Sequence, residues 1–377
     1  GVSSNSHHAI NNLLAAVETR ADEAKFSFRG LKKSGQDDES AVLAGPCIQL
    51  ESDKNKLLDK WQAGASLIAG TAWLFSEPGL TSQLDYLFLD EAGQVSLANL
   101  VAMGMSARNL VLMGDQMQLA QPVQGQHPGH SGDSTLDYLL NGLATIPADR
   151  GIFLSQTWRM HPAVCSFISE AVYDSQLTSA TGTENQRLSL DGKKPGIPEA
   201  GLYFHPVEHT GNGQDSPEEA EAVAELFNYF LGQSFSDKNG RPGKIGIDNI
   251  LVVAPYNLQV NRLKQVLPEG ARVGTVDKFQ GQEAEIVIVS MATSDEESLP
   301  RDMGFLFSRN RLNIAVSRAK ILSCLVVNPR LTSIRCNTPE DMMLINTLCK
   351  LMTARGEVYR APQGRHCLSN ATYIQEV

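Results

Sequence analysis

The chain has 377 residues, 42% apolar and 20% charged, which is enough for two domains that each bury a core. No uninterrupted apolar run reaches the roughly 18 residues of a membrane-spanning helix, so none is expected. The formal net charge of −10 argues against a chain that is basic all over.

The charge is uneven. Residues 301–377 carry 11 Lys/Arg against 5 Asp/Glu, and residues 1–300 carry 21 against 37. Local basic patches on an acidic body can still bind a phosphate backbone, because the local field decides. The opening residues, Gly1-Val-Ser-Ser-Asn-Ser-His-His8, form neither a signal nor a transit peptide. They also lack an initiator methionine, and the chain is expected to be a fragment. Six cysteines, at 47, 165, 324, 336, 349 and 367, show no CxxC pair. That pattern favours free thiols in a reducing cytoplasm.

Taken in order, Val2-Ser-Ser-Asn-Ser6 leads into a helix with Ile10, Leu13, Leu14 and Val17 at helical spacing. The polar residues before it serve either an anion or plain N-capping. Residues 20–60 are polar and mixed in charge and are expected to be an irregular insertion. A short strand follows in 66–72, ending in Gly70-Thr71. Residues 84–90 are expected to form a strand buried on both faces, closing in Asp90-Glu-Ala-Gly-Gln94. A helix over 96–105 and a strand over 109–113 come next, the strand closing in Gly114-Asp-Gln-Met-Gln-Leu119. The loop at 124–133 gives His127, His130 and Asp133 a metal-like spacing, but no further ligand stands nearby in sequence, and the reading is against a metal there. A helix over 134–143 precedes a domain boundary near 150.

The second half begins with an expected strand over 151–154, then Trp158-Arg-Met-His-Pro162 and a helix through Val172. Residues 178–198 read as loop, and 201–205 as strand. Ser216-Pro-Glu-Glu219 has the form of a capping box with proline at the first helical position. Buried strands are expected over 250–254, 286–289 and 322–327, and helices over 258–267, 310–320 and 339–353. Strand and helix alternate in both halves, which argues for two parallel α/β sheets.

Several strands end in polar clusters, and in a parallel sheet such clusters gather on one rim. Adjacent Asp90 and Glu91 after a strand suit nucleotide hydrolysis, the aspartate holding Mg²⁺ and the glutamate orienting and deprotonating water. The plain alternative is a solvated acidic turn. Arg159 and Arg318 are fixed cations of the kind that stabilise phosphoryl transfer. Trp158 has the flat face to stack on a purine. The alternatives are core packing for Trp158 and an ordinary helix-surface charge for Arg318.

Six stretches stand in a fixed order: Val2-Ser-Ser-Asn-Ser6, Asp90-Glu-Ala-Gly-Gln94, Gly114-Asp-Gln-Met-Gln-Leu119, Trp158-Arg-Met-His-Pro162, Val276-Asp-Lys-Phe-Gln-Gly-Gln-Glu283 and Leu312-Asn-Ile-Ala-Val-Ser-Arg-Ala-Lys320. The set resembles superfamily 1 helicases, in the branch that includes the nonsense-mediated-decay helicase and the Okazaki-fragment nuclease-helicase. The resemblance runs from residue 2 to about residue 352. It implies an α/β fold of two RecA-like parallel-sheet domains side by side, the P-loop NTPase fold. Residues 1–150 would be the first domain, incomplete at its amino end, 151–355 the second, and 356–377 a tail.

The resemblance also implies roles. Asp90 would coordinate Mg²⁺, Glu91 would be the general base, and Gln118 would sense the γ-phosphate of ATP. Arg159 and Arg318 would be arginine fingers. Trp158 would stack on adenine, Glu283 would approach the ribose or phosphates, and Gly281 would allow close backbone approach. Ser4, Asn5, Thr71, Asn257 and Thr275 would contact the nucleic-acid backbone. The implied partner is single-stranded nucleic acid, DNA favoured over RNA, followed 5′ to 3′, with a nuclease domain possible upstream in the same protein.

The family's phosphate loop, GxxxxGK[ST], is absent from these residues. Gly192-Lys193-Lys194 and Gly243-Lys244-Ile245 lack the hydroxyl and the glycine spacing. The loop is expected before Val2, and this chain alone is expected to hydrolyse little ATP. The alternative function is a non-hydrolysing helicase-like module that binds nucleic acid or protein.

Overall fold

The computed structural model describes residues 1–35, 45–119, 125, 127–192, 196–279, 281–299, 303–336 and 338–353. The chain divides into two compact units, Gly1–Ala144 and the residues from Thr145 onward.

Unit 1 runs β1 (Val2–Ser3), α1 (His7–Glu23), β2 (Gly30–Lys33), β3 (Ile48–Glu51), α2 (Lys54–Gln62), β4 (Leu67–Ala69), α3 (Ala72–Phe75), β5 (Leu84–Leu89), α4 (Leu97–Gly104), β6 (Ala107–Leu112) and α5 (Thr135–Leu140). The six strands form one sheet in the order β3-β2-β4-β1-β5-β6, and every pairing is parallel. Its core gathers Leu31, Leu57, Ile68, Phe75, Leu87 and Leu89, all buried. Burying side chains of this size stabilises by about 1.5–3 kcal/mol each.

Sequence pattern misjudged this unit in two places. Residues 20–60 are not an irregular insertion: they hold β2, β3 and α2. The β2 strand was hidden because it reads Gly-Leu-Lys-Lys, yet Lys32 is completely buried and its Nζ donates to Asn11 Oδ1 at 2.5 Å. A lysine with a fixed acceptor can occupy a core position that apolar periodicity does not reveal. The β5 strand is buried on one face rather than both. Leu84, Leu87 and Leu89 point into the core, whereas Tyr86 and Phe88 are 52% and 39% exposed. At the start of α1, the Ser6 hydroxyl accepts the Ala9 N–H at 3.1 Å, so the polar stretch before the helix includes an N-cap.

Unit 2 runs β7 (Gln156–Thr157), α6 (Pro162–Val172), β8 (Thr178–Ser179), β9 (Arg187–Ser189), β10 (Gly201–Pro206), α7 (Pro217–Phe230), β11 (Ser234–Ser236), β12 (Pro242–Lys244), β13 (Ile250–Val253), α8 (Asn257–Val266), β14 (Arg272–Gly274), β15 (Ala284–Ser290), α9 (Met303–Leu306), α10 (Arg309–Ser317), β16 (Ala319–Val327) and α11 (Pro339–Thr353). The main sheet is parallel, in the order β10-β16-β15-β13-β14. Its central strands are buried on both faces, in keeping with their long apolar runs. A small antiparallel sheet, β12-β11-β9, and the parallel pair β7-β8 stand apart from it.

Here too the sequence misled locally. The run at 151–154 is not a strand; Ile152 and Leu154 are 86% and 81% exposed, with no ladder to pair with among the described residues. The stretch at 178–198, expected to be loop, contributes β8 and β9. The capping box at Ser216 is half made. Ser216 Oγ accepts the Glu219 N–H at 3.1 Å, but the Glu219 side chain does not turn back to the cap. It is drawn into the core instead, where Ser290 Oγ donates to it at 2.6 Å and the Ala292 N–H at 2.8 Å, with His209 Nε2 3.0 Å away. Among the described residues no helix is long and apolar enough to cross a membrane.

Candidate nucleotide and nucleic-acid sites

In unit 1 the polar clusters close β5 and β6, which are neighbours, so they stand at one rim of the sheet. Asp90 is half-buried at the end of β5, and its backbone N–H donates to Ser3 O at 2.9 Å. Burial pushes the Asp90 carboxyl above its ordinary value, and the Glu91 N–H bound to Oδ1 at 3.0 Å only partly opposes this. Glu91 itself sits in the left-handed region, at φ +55°, a conformation that costs a residue with a Cβ energy.

The turn after Glu91 interlocks with the turn after β6. The Ala92 N–H donates to Met113 O at 2.8 Å. A Cβ on Gly93 would lie 2.7 Å from Asp115 O, so only glycine fits at that contact. Asp115 then holds its own loop: Oδ1 accepts the Met117 N–H at 2.9 Å, and Oδ2 accepts Gln118 Nε2 at 3.0 Å. Gln118 is thereby fixed through Asp115 to the loop that carries Asp90 and Glu91. Asp115 was passed over as a site residue in sequence, although it stands inside the Gly114–Leu119 stretch.

Unit 2 brings together a second set. Arg159 Nε donates to Glu283 Oε2 at 2.7 Å, and Arg159 Nη1 reaches Ser317 O at 3.4 Å, beside Arg318. Arg318 is only 4% exposed at the end of α10, not the surface charge that a helix terminus suggests. Lys320 Nζ lies 3.1 Å from Glu283 and 3.2 Å from Glu285. Burial works to raise the Glu283 carboxyl, but the hydrogen bond from Arg159 and the charge of Lys320 outweigh it and hold the group below the usual carboxylate range. Burial likewise works to lower the Lys320 ammonium, and the charges of Glu285 and Glu283 overcome it, so the group is raised. Asn249 Nδ2 closes the chain on Glu285 at 2.7 Å. Lys320 and Glu285 were missed in sequence; Lys320 ends the Leu312–Lys320 stretch, which is the signal that was present. Trp158, next to Arg159, is 65% exposed and presents an open ring rather than core packing. Gly281 sits at φ +75° with open space where a Cβ would stand, so its backbone conformation, not crowding within the chain, calls for glycine.

The remaining expected residues divide by exposure. Thr71 and Thr275 are partly exposed at the ends of β4 and β14, and Asn257 is exposed at the first turn of α8. Asn5 is exposed and its amide donates to Gln94 O, which ties the stretch after β1 to the Asp90–Gln94 turn. Ser4, by contrast, is 2% exposed. In the loop at 127–133, His130 Nδ1 pairs with Asp133 Oδ2 at 2.8 Å.

A family profile described as "AAA domain" (AAA_12) matches residues 136–330, just over half of the chain, and the chain belongs to that family. Within it, the chain is a superfamily 1 helicase core related to the nonsense-mediated-decay helicases. The DNA polymerase alpha-associated DNA helicase A of Schizosaccharomyces pombe is 29% identical over 257 residues, covering 65% of this chain and 37% of that protein. A regulator of nonsense transcripts 1 homolog of Drosophila melanogaster is 28% identical over 261 residues, covering 65% of this chain and 21% of that protein. The chain thus spans well under half the length of these curated relatives. Among solved structures, an arterivirus nonstructural protein 10 helicase covers 86% of this chain and 52% of its own, at 15% identity and a TM-score of 0.44.

Proposed function

We propose that the chain is the motor core of an ATP-dependent helicase or translocase that works on single-stranded nucleic acid, DNA in the first instance, in the 5′ to 3′ direction. The observation that carries this reading is the interlock in unit 1: a strained Glu91 and a half-buried Asp90 share one scaffold with Gln118, through Gly93 and Asp115. A binding module has no chemical need for that arrangement.

Asp90 is half-buried at the end of β5 with Oδ1 on the Glu91 N–H, so Oδ2 is the oxygen that would face a divalent cation. It would hold Mg²⁺, which would supply charge neutralisation to the phosphates of ATP. Glu91 would orient the attacking water and take its proton. Gln118, held by Asp115, would register whether a γ-phosphate is present. Arg159 and Arg318 would stabilise the charge that develops on the transferred phosphoryl group. To do so Arg159 would exchange its partner Glu283 for phosphate, and Glu283 would turn to the ribose. Trp158 would stack on the base. Ser4, Asn5, Thr71, Asn257 and Thr275 would line the strand's backbone, Ser4 through its main chain. The residues 1–377 contain no GxxxxGK[ST] loop, and the chain by itself is expected to turn over little ATP.

The binding half of the reading is tested on this chain directly. A labelled single-stranded oligonucleotide should bind with an affinity that falls steeply with salt. Equal deoxyribose and ribose arms report whether a 2′-hydroxyl contributes. Absence of binding to either strand at low salt overturns the proposal.

A further inference from the structure

Unit 1 holds a cleft of about 250 Å³ in whose lining only Thr71 has an assigned role. It is lined by Lys33, Lys54, His7, Thr71, Trp73 and Glu77, among others. The strands β2 and β4 are adjacent, and their carboxyl ends bring Lys33 and Thr71 to one place. A Cβ on Gly70 would lie 3.3 Å from Lys33 Cβ and 2.7 Å from Leu74 Cδ2, so glycine lets the two strand ends close up. Trp73, two residues after Thr71, forms an open wall and is 85% exposed. An indole left that bare presents a large flat apolar surface to solvent.

The charge around it is unlike the rest of the unit. Residues 1–144 carry 9 Lys/Arg against 16 Asp/Glu, yet among the described residues the cleft presents Lys33 and Lys54 against Glu77. Lys33 Nζ donates to the carbonyl of Ser34 at 3.1 Å, leaving its charge without a carboxylate in that contact. Lys54 lies 2.9 Å from Glu77 in a pair whose side chains are 48% and 27% exposed, and a pair so open to solvent is cheap to exchange. A cationic rim around a bare aromatic ring matches the two faces of a single strand, phosphates outside and a base inside.

We infer that Trp73 is a base-stacking platform, with Lys33 and Lys54 taking the phosphates that flank the stacked nucleotide. The inference rests on the nucleic-acid reading above and adds to it a contact with a base, where Thr71 would touch only backbone. Stacking of this kind tolerates any base, because every base has a π-face. The platform therefore grips the strand without selecting sequence.

The test measures anisotropy of a labelled single-stranded oligonucleotide with the intact chain, as Trp73→Ala, Trp73→Phe and Lys33→Ala variants, over a range of salt. Trp73 packs so little against the chain that its replacement should leave folding intact, which circular dichroism checks. Trp73→Ala should weaken binding by about tenfold with the salt dependence unchanged, and Trp73→Phe should restore most of it. Lys33→Ala should instead reduce the salt slope by about one. Wild-type affinity in Trp73→Ala overturns the platform, whether the ring proves idle or serves a protein partner. Failure of the wild-type chain to bind any single strand overturns the functional reading instead.

Discussion

Replacing Glu219 with alanine should cost unit 2 about 3–5 kcal/mol of stability, the scale expected when one member of a buried charged network is removed. The carboxylate has no exposed surface. It accepts from Ser290 Oγ and the Ala292 N–H, and His209 Nε2 stands at 3.0 Å. His209 Nδ1 in turn lies 2.7 Å from Ser294 Oγ, which also accepts the Asn212 N–H. On the other side, Gln259 Nε2 donates to Ser290 Oγ at 2.9 Å while its oxygen accepts the Ser216 N–H at 2.8 Å. The network therefore joins the start of α7, the first turn of α8 and the carboxyl end of β15. It also pins Ala292, whose φ of +66° is costly for alanine. Truncation strands several donors in a dry interior. A domain stable by about 5–15 kcal/mol would lose a large fraction of that margin. Urea unfolding of the chain measures the effect, and a loss under about 1 kcal/mol would show that the network is dispensable.

The second large effect concerns chemistry. In a form of the protein that includes a phosphate loop, Glu91→Gln should lower the rate of ATP hydrolysis by about 10²–10⁴-fold, the usual contribution of a positioned general base. Glutamine keeps the size of the side chain and its left-handed backbone cost, so the turn that seats Asp90 should survive. Nucleotide affinity should accordingly be unchanged, as a fluorescent ATP analogue would report. Full turnover in the variant would remove Glu91 from the role of base.

The candidate site was legible in sequence where its residues are contiguous. Asp90, Glu91, Gln118, Arg159, Glu283 and Arg318 all lie in short stretches whose residue types betray them. What escaped was whatever depends on distant parts of the chain. The Glu219 network draws on residues near 209, 216, 259, 290 and 294, none of which looks unusual alone; Glu219 read as half of a capping box. Lys32 lies in a stretch whose polar, mixed-charge composition pointed to an irregular insertion, yet it is core, with Asn11 Oδ1 among the groups that meet its ammonium. The short strands β8, β9, β11 and β12 are two or three residues long, with Leu188 in β9 and Phe235 in β11 as their large apolar residues, so no run is long enough to show a period, and it is the ladder, with Leu188 opposite Phe235, that settles them. The run at 151–154 shows the converse, since apolar residues without a neighbouring strand form no sheet. The long parallel strands β13, β15 and β16 were the easiest to read, because burial on both faces leaves them mostly apolar, with Glu285, Ser290, Lys320 and Ser323 as the polar positions.

The central claim, an ATP-driven motor on single-stranded nucleic acid, is tested most directly by one comparison. ATP hydrolysis by a phosphate-loop-containing form of the protein is measured with and without a saturating single-stranded oligonucleotide. The account predicts a clear acceleration by the strand, lost in Glu91→Gln. Hydrolysis at the same rate with and without nucleic acid would contradict it.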